Sequence, residues 1–253
     1  MPSGIRFAAV DLGSNSYRLE IARVEHGHLQ RAEYLKETVR QGSGLDANRH
    51  LTREAMQRGW DCLARFAERL SGFERGHVRA VATQTLREAR NRDEFLERAC
   101  EVLGFPIDVI SGHEEARLIY SGVAHLLPQS AERRLVIDIG GRSTEMILGR
   151  GRKPLKAESF QIGSVSLSMR FFPTGAFTAE AFRAAQIAAV DLNMGGGVKL
   201  TNLAPEAHLE IAAVKSLYGS DAALSATQCV PDVVQFAAKR GDNAKACHHY
   251  STA

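Results

Sequence analysis

One short pattern occurs twice in this chain, and it limits the fold more than any other feature. Phe7-Ala8-Ala9-Val10 is an apolar run that ends in Asp11-Leu12-Gly13-Ser14-Asn15-Ser16, and Leu135-Val136-Ile137 runs the same way into Asp138-Ile139-Gly140-Gly141-Arg142-Ser143. Each loop is followed by an alternating segment, Tyr17 to Ala22 in the first case and Thr144 to Leu148 in the second. An apolar run, a tight polar loop and an alternating run together predict strand, turn and strand. Aligning the two copies sets Asp on Asp, an aliphatic on an aliphatic, Gly on Gly and Ser on Ser. Two copies of one device predict two similarly built lobes. The boundary is expected between Pro128 and Glu132, where Pro, Gln, Ser and charge interrupt the pattern. Residues 1–127 then form the first lobe, 128–189 begin the second, and 190–253 are a divergent segment of uncertain structure.

Between the repeats the pattern supplies further elements. A third strand is expected around Leu29 to Val39, after the turn His26-Gly27-His28, giving an antiparallel meander that ends at Gln41-Gly42-Ser43-Gly44. From Thr52 a helix places Met56, Trp60, Leu63, Ala67 and Leu70 on one face. Strands at Val78 to Thr83 and Ile107 to Ile110 alternate with helices at Arg92 to Leu103 and His113 to Leu126. Helical character is also expected near Ala207 to Leu217. With 253 residues, 44% of them hydrophobic, the chain has material for one large or two modest cores, and a net charge of +3 is too weak to argue for nucleic acid but compatible with a polyanion met by local arginines.

An Asp-x-Gly-Ser turn at a strand end gathers a carboxylate, backbone N–H groups and hydroxyls around one small space. The donors suit a phosphate, whereas the carboxylates of Asp11 and Asp138 would repel it unless a cation such as Mg²⁺ lay between. Either loop alone reads as a plain hairpin turn. The repeat favours phosphate, because two such loops facing one another across a cleft could clamp a phosphate chain. In Ser111-Gly112-His113-Glu114-Glu115, Ser111 and Glu114 have capping-box spacing. Glu115 is either a carboxylate that stabilises the helix dipole or one that takes a proton from water. Arg87 is either solvated or a bidentate phosphate ligand. Cys62, Cys100, Cys229 and Cys247 are widely spaced, so no disulfide and a reducing cytoplasm are expected. His248 and His249 read as tail residues rather than metal ligands. The N-terminus does not read as a signal peptide, and no uncharged apolar segment reaches the length of a membrane span.

Taken in order, Ala8 to Ser16, Thr85-Leu86-Arg87, Ile110 to Arg117, Val136 to Gly141 and Ser143-Thr144-Glu145 resemble the exopolyphosphatase and guanosine pentaphosphate phosphohydrolase (Ppx/GppA) family. The likeness runs from about Phe7 to about Ala189 and includes Gly163-Ser164-Val165 and Phe171-Phe172-Pro173. It implies an α/β, actin-like fold of two ribonuclease-H-like lobes, with Glu115 as the catalytic base, Asp138 holding Mg²⁺ and Glu145 positioning metal or water. It further implies phosphate contacts from Ser14, Asn15 and Arg87 in the first half and from Gly140, Gly141 and Ser143 in the second. The substrate implied is inorganic polyphosphate, with guanosine pentaphosphate as the alternative, and a homodimer is compatible. Arg142 stands where the family usually has a third glycine, so it either adds a phosphate contact or hinders close backbone approach. Two other readings stay open: an actin-like sugar or acetate kinase, and a binder of polyphosphate or an alarmone nucleotide that does not cut it.

Overall fold

A computed structural model describes residues 4–25, 28–129, 131–195 and 209–215. The expected turn at His26-Gly27 and the residues Cys229, Cys247, His248 and His249 lie outside the described residues. The chain divides into two units between Ser111 and Gly112.

The first unit is built on β1 (Arg6–Leu12), β2 (Ser16–Glu25), β3 (His28–Thr38), β4 (Val78–Ala82) and β5 (Ile107–Val109), in the sheet order β3-β2-β1-β4-β5. The first three strands are antiparallel, whereas β4 runs parallel to β1 and β5 parallel to β4. Alternation places Ala8, Val10 and Leu12 in the core and leaves Asp11 on the other face. Helix α1 (Arg53–Arg69) covers the core face. Thr52 caps it by accepting from Ala55 N at 3.3 Å, and Glu54 and Arg69 lie in its first and last turns, where each charge suits the helix dipole. Its buried stripe is Ala55, Met56, Gly59, Cys62, Leu63 and Phe66, so Trp60 and Ala67 sit at the margin of the face rather than on it. Trp60 instead stacks on Phe95 of α3 (Arg92–Leu103), with ring centroids 5.8 Å apart, and donates its indole N–H to Phe95 O at 3.1 Å. Phe66 and Phe95 are fully buried, each worth roughly 1.5–3 kcal/mol against exposure. A short helix, α2 (Gln84–Glu88), follows β4 directly.

The second unit starts with α4 (Gly112–Leu126), followed by β6 (Arg133–Ile139), β7 (Thr144–Arg150), β8 (Lys153–Phe160), α5 (Ser164–Phe171), α6 (Ala179–Gly195) and β9 (Leu209–Lys215). The sheet order β8-β7-β6-β9, with β9 parallel to β6, repeats the order β3-β2-β1-β4 of the first unit. The repeat seen in two loops thus extends to whole sheets, as the α/β, actin-like class requires.

Three expectations are corrected. The division falls before α4 rather than at Pro128 to Glu132, because Ala116, Tyr120 and Ala124 of that helix pack on Val136 and Ile147 of the second sheet. Leu209 to Lys215 is a strand, not part of a helix: parallel pairing along the whole of β6 overrides the local helix-forming composition. Finally, α6 crosses the 189/190 limit and β9 joins the sheet, so described structure extends into the segment read as divergent.

Candidate active site

Both repeated loops are closed by the same hairpin geometry. Leu12 pairs with Tyr17 and Ile139 with Thr144, leaving Gly13 to Ser16 and Gly140 to Ser143 as turns of equal length. A Cβ on Gly13 would lie 2.8 Å from Ser16 O, and one on Gly140 would lie 3.0 Å from Ser143 O. A side chain at Gly13 would force the turn to shift, and one at Gly140 would crowd Ser143 O, so both copies favour glycine there.

The chemistry of the two copies differs one residue back from the turn. In the first, Asp11 faces Arg18 across the ladder, and Arg18 Nη1 donates to Asp11 Oδ2 at 3.1 Å. Desolvation raises the Asp11 carboxyl above its usual range, and the charge and hydrogen bond of Arg18 oppose the rise. In the second copy, Asp138 faces Glu145. Directly opposed residues project on the same face of a sheet with their Cβ atoms about 4.5–5.5 Å apart, so two carboxylates share one place. Glu145 is only 1% exposed and its Oε1 accepts from Ser159 Oγ at 2.8 Å. The first hairpin therefore carries its own counter-ion, and the second presents a pair of acids.

Parity identifies the face. Asp138 is in step with Val136, Glu145 with Ile147 and Ser159 with Ala157, and these apolar neighbours are the ones on which α4 packs. The direction of α4 follows from its tethers: Tyr120 Oη donates to Gly151 O at 3.0 Å, and just past the helix end Pro128 O accepts from Nη2 of Arg134, the neighbour of Arg133, which lies opposite Arg150. The C-terminal end of α4 thus lies at the Arg133–Arg150 end of the sheet, and its first turn, with Glu115, points toward the end that carries Asp138 and Glu145. A Cβ on Gly149 would collide with the buried Tyr120 ring, so this glycine is what lets the helix lie close to the sheet. Glu114, one residue before Glu115, is held by Arg117, whose Nε and Nη2 each reach it at 2.8 Å.

The second loop is braced from outside. Ser164 N donates to Gly140 O at 3.0 Å, Val165 N to Gly141 O at 2.7 Å and Ser166 N to Gly141 O at 3.2 Å. The first turn of α5 thus spends its amides on loop carbonyls. Gly140 N donates to Ser143 O at 2.9 Å, so in this loop the Gly140 amide serves the turn rather than a ligand.

In the first unit, Asp11, the turn, α2 and the end of β5 all lie at the C-terminal edge of the parallel strands, the usual ligand edge of such sheets. Thr85 Oγ1 donates to Ser14 Oγ at 2.7 Å, both side chains being buried. Asn15 O accepts from Val39 N at 3.1 Å and Arg40 N at 2.8 Å, with Arg40 in the left-handed region at φ 53°, and Ser14 O accepts from Gly42 N at 2.7 Å. Arg87 is oriented by Gln84 Oε1, at 3.1 Å from Nε and 2.6 Å from Nη2, and by Ile110 O at 2.9 Å from Nη1. The structure therefore groups Ser14, Asn15 and Arg87 on one edge of the first unit and Asp138, Gly140, Gly141, Ser143 and Glu145 at one end of the second sheet, toward which the first turn of α4, with Glu115, points. Sequence reasoning missed Arg18, Thr85 and Ser159. Arg18 was within reach, because a hairpin closed at Leu12 and Tyr17 must set it against Asp11.

The carboxylates suit a magnesium ion: Mg²⁺ uses one or two protein carboxylates and fills its octahedron with water and phosphate oxygens. Asp138 and Glu145 supply such a pair, and among the described residues no larger group of acid, His and Cys side chains is arranged for a metal. No helix of the described residues is long and apolar enough to cross a membrane.

The protein-family model described as the Ppx/GppA phosphatase family matches residues 20–213. That match passes Ala189, where the resemblance was expected to end, and takes in most of β9. A curated Haemophilus influenzae protein named "Putative exopolyphosphatase" is 50% identical over 184 residues, which are 73% of this chain and 57% of that protein. The crystal structure of an exopolyphosphatase from Cytophaga hutchinsonii superposes with a TM-score of 0.71 at 25% identity, over 82% of this chain and 66% of that one. A Ppx/GppA family member from Aquifex aeolicus superposes with a TM-score of 0.57 at 33% identity, over 66% of this chain and 54% of that one. The chain spans a little over half the length of the curated relative. With a family match over most of its length and two hairpins built alike, this chain belongs to the Ppx/GppA phosphatase family.

Proposed function

We propose that the chain carries the machinery for releasing terminal orthophosphate from inorganic polyphosphate by attack of water. The observation that supports this reading is that Asp138 faces Glu145 on the side of the second sheet against which α4, with Glu115 in its first turn, packs. Glu115 lies in the first turn of α4, where the helix dipole favours its ionised form. It takes the proton of the attacking water as the new O–P bond forms. The bridging P–O bond breaks, orthophosphate departs, and the shortened chain leaves with the bridging oxygen. Asp138 and Glu145 would hold Mg²⁺, which when bound neutralises charge on the phosphate oxygens. Ser159 holds the Glu145 carboxylate in place. In the first unit, Ser14, Asn15 and Arg87 serve phosphate, and Thr85 fixes the Ser14 hydroxyl. Transfer of this kind depends mostly on alignment and charge neutralisation, which these residues supply. The free thiols of Cys62 and Cys100 suit a reducing cytoplasm.

The test is orthophosphate release from polyphosphate by the purified protein with Mg²⁺, beside its Glu115→Gln variant. Loss of release in a variant that keeps the wild-type melting temperature is expected. Equal release by the two proteins would remove Glu115 from the role of base. Guanosine pentaphosphate as a parallel substrate tells whether the same residues serve the nucleotide better.

A further inference from the structure

The end of the second sheet remote from Asp138 and Glu145 carries a different charge. Arg133 lies directly opposite Arg150, and Arg150 directly opposite Lys153, so three cations stand abreast on three neighbouring strands. Beyond the bulge in β8, Lys156 pairs with Leu148 and so shares their face. This face is the one that bears Leu135 and Met146, opposite to the face covered by α4. All four cations are exposed, as is Arg152 in the adjoining turn.

Like charges directly opposed across a sheet destabilise it. The first sheet also opposes Arg6 to Arg23 and Arg18 to Lys36, but there Arg18 is paired with Asp11 at 3.1 Å, Arg31 is met by Glu20 at 3.0 Å and Arg79 by Asp108 at 2.7 Å. Among the described residues none of the four cations in the second sheet is in an ion pair. Glu132 precedes the row and Glu158 lies on the same face two residues beyond Lys156, so acids flank the row but do not interrupt it. The row is also held in shape: Arg150 Nε donates to Ala131 O, and Tyr120 Oη holds the β7–β8 turn through Gly151 O. Neighbouring strands lie about 4.8 Å apart, so the three cations abreast span roughly 10 Å of surface.

We propose that Arg133, Arg150, Lys153 and Lys156 form an accessory docking site for inorganic polyphosphate, separate from the carboxylate end of the sheet. The inference rests on the polyphosphate reading for the identity of its ligand. A row of fixed cations retains a repeating anion through released counter-ions, whereas a short chain engages too few of them to profit. The site therefore discriminates by chain length.

The test removes the four charges together as Arg133→Gln, Arg150→Gln, Lys153→Gln and Lys156→Gln in the full chain, and measures binding of long-chain polyphosphate and of tripolyphosphate over a salt series. Because the substitutions relieve like-charge repulsion, the melting temperature is expected to hold or rise, which separates lost binding from lost folding. Long-chain affinity should fall by roughly tenfold or more at low salt, and the slope of log Kd on log salt should flatten by about 0.7 for each cation lost. Tripolyphosphate affinity, and its hydrolysis where it occurs, should be unchanged. Equal long-chain affinity and equal salt slope in the two proteins would overturn the proposal, and so would equally strong, charge-dependent binding of a single-stranded RNA. Binding is read without turnover, so absence of hydrolysis with charge-dependent binding intact would count against the catalytic reading alone.

Discussion

Gly163 is the residue at which the bracing of the second loop can be tested most sharply. A Cβ built there lies 2.5 Å from Gly141 C and 2.6 Å from both Gly141 O and Arg142 N. All three are backbone atoms, so no side-chain rotation relieves the overlap, and the contact falls short of the usual carbon separation by about 1 Å. Gly163 has φ −161°, an extended conformation open to any residue, so the cost of Gly163→Ala is steric alone. Opening that gap pulls α5 away from Gly140 and Gly141 and strains three hydrogen bonds, those from Ser164, Val165 and Ser166. At about 1 kcal/mol each their loss approaches 3 kcal/mol, the upper end of the range of about 1–3 kcal/mol for an overpacked site. Denaturant unfolding should therefore show a loss of about 1–3 kcal/mol, accompanied by reduced phosphate release. Gly122→Ala provides the control: beyond the backbone of its own helix turn nothing lies within 4 Å of its added Cβ, and in the middle of α4 alanine should stabilise by about 0.5–1 kcal/mol. An unchanged midpoint and unchanged turnover in Gly163→Ala would refute the bracing role of α5.

Other expectations follow from the same geometry. Thr85→Val removes the donor to Ser14 Oγ in a buried setting and should cost about 1–3 kcal/mol by chemical denaturation, with a weaker effect on a Ser14→Ala background. Glu37 is held below its usual carboxylate range, chiefly by its hydrogen bond from Arg65, so its contribution is present above the unfolded pKa and is lost as pH falls through the folded one. The stability difference between wild type and Glu37→Gln should then shrink on acidification, and since the pair is partly exposed it should not exceed about 1 kcal/mol at neutral pH. Asp11 has the opposite sign: its raised pKa means that stability is greatest below the unfolded value and declines as pH rises toward the folded one. Arg18→Met removes the opposing charge and should move the Asp11 carboxyl titration, followed by NMR, further upward.

The local parts of this architecture were readable because the signals are local. The repeated turns, α3 and most strand positions follow from periodicity and from glycine at a turn that a Cβ would crowd. The errors arose where distant partners decide. Pro128 to Glu132 has the composition of a linker, yet the allegiance of α4 is set by Tyr120 fitting over Gly149, and neither residue announces that contact. Leu209 to Lys215 has helix-forming residues, and only the available edge of β6 makes it a strand. At the site, Asp138 was legible from its loop, but its meaning depends on Glu145 facing it where Arg18 faces Asp11. That contrast follows from register, which becomes certain only once the closing pairs are known.

The most direct measurement is a magnesium titration of thermal stability in wild type and in Asp138→Asn/Glu145→Gln. If the facing carboxylates hold the ion, Mg²⁺ at a hundred times its Kd stabilises the wild type by about 2.7 kcal/mol, a rise of roughly 5–10 °C in Tm. The double variant should show no magnesium-dependent rise. Equal magnesium shifts in the two proteins would contradict the assignment of Asp138 and Glu145 and, with it, the reading of this end of the sheet as the catalytic one.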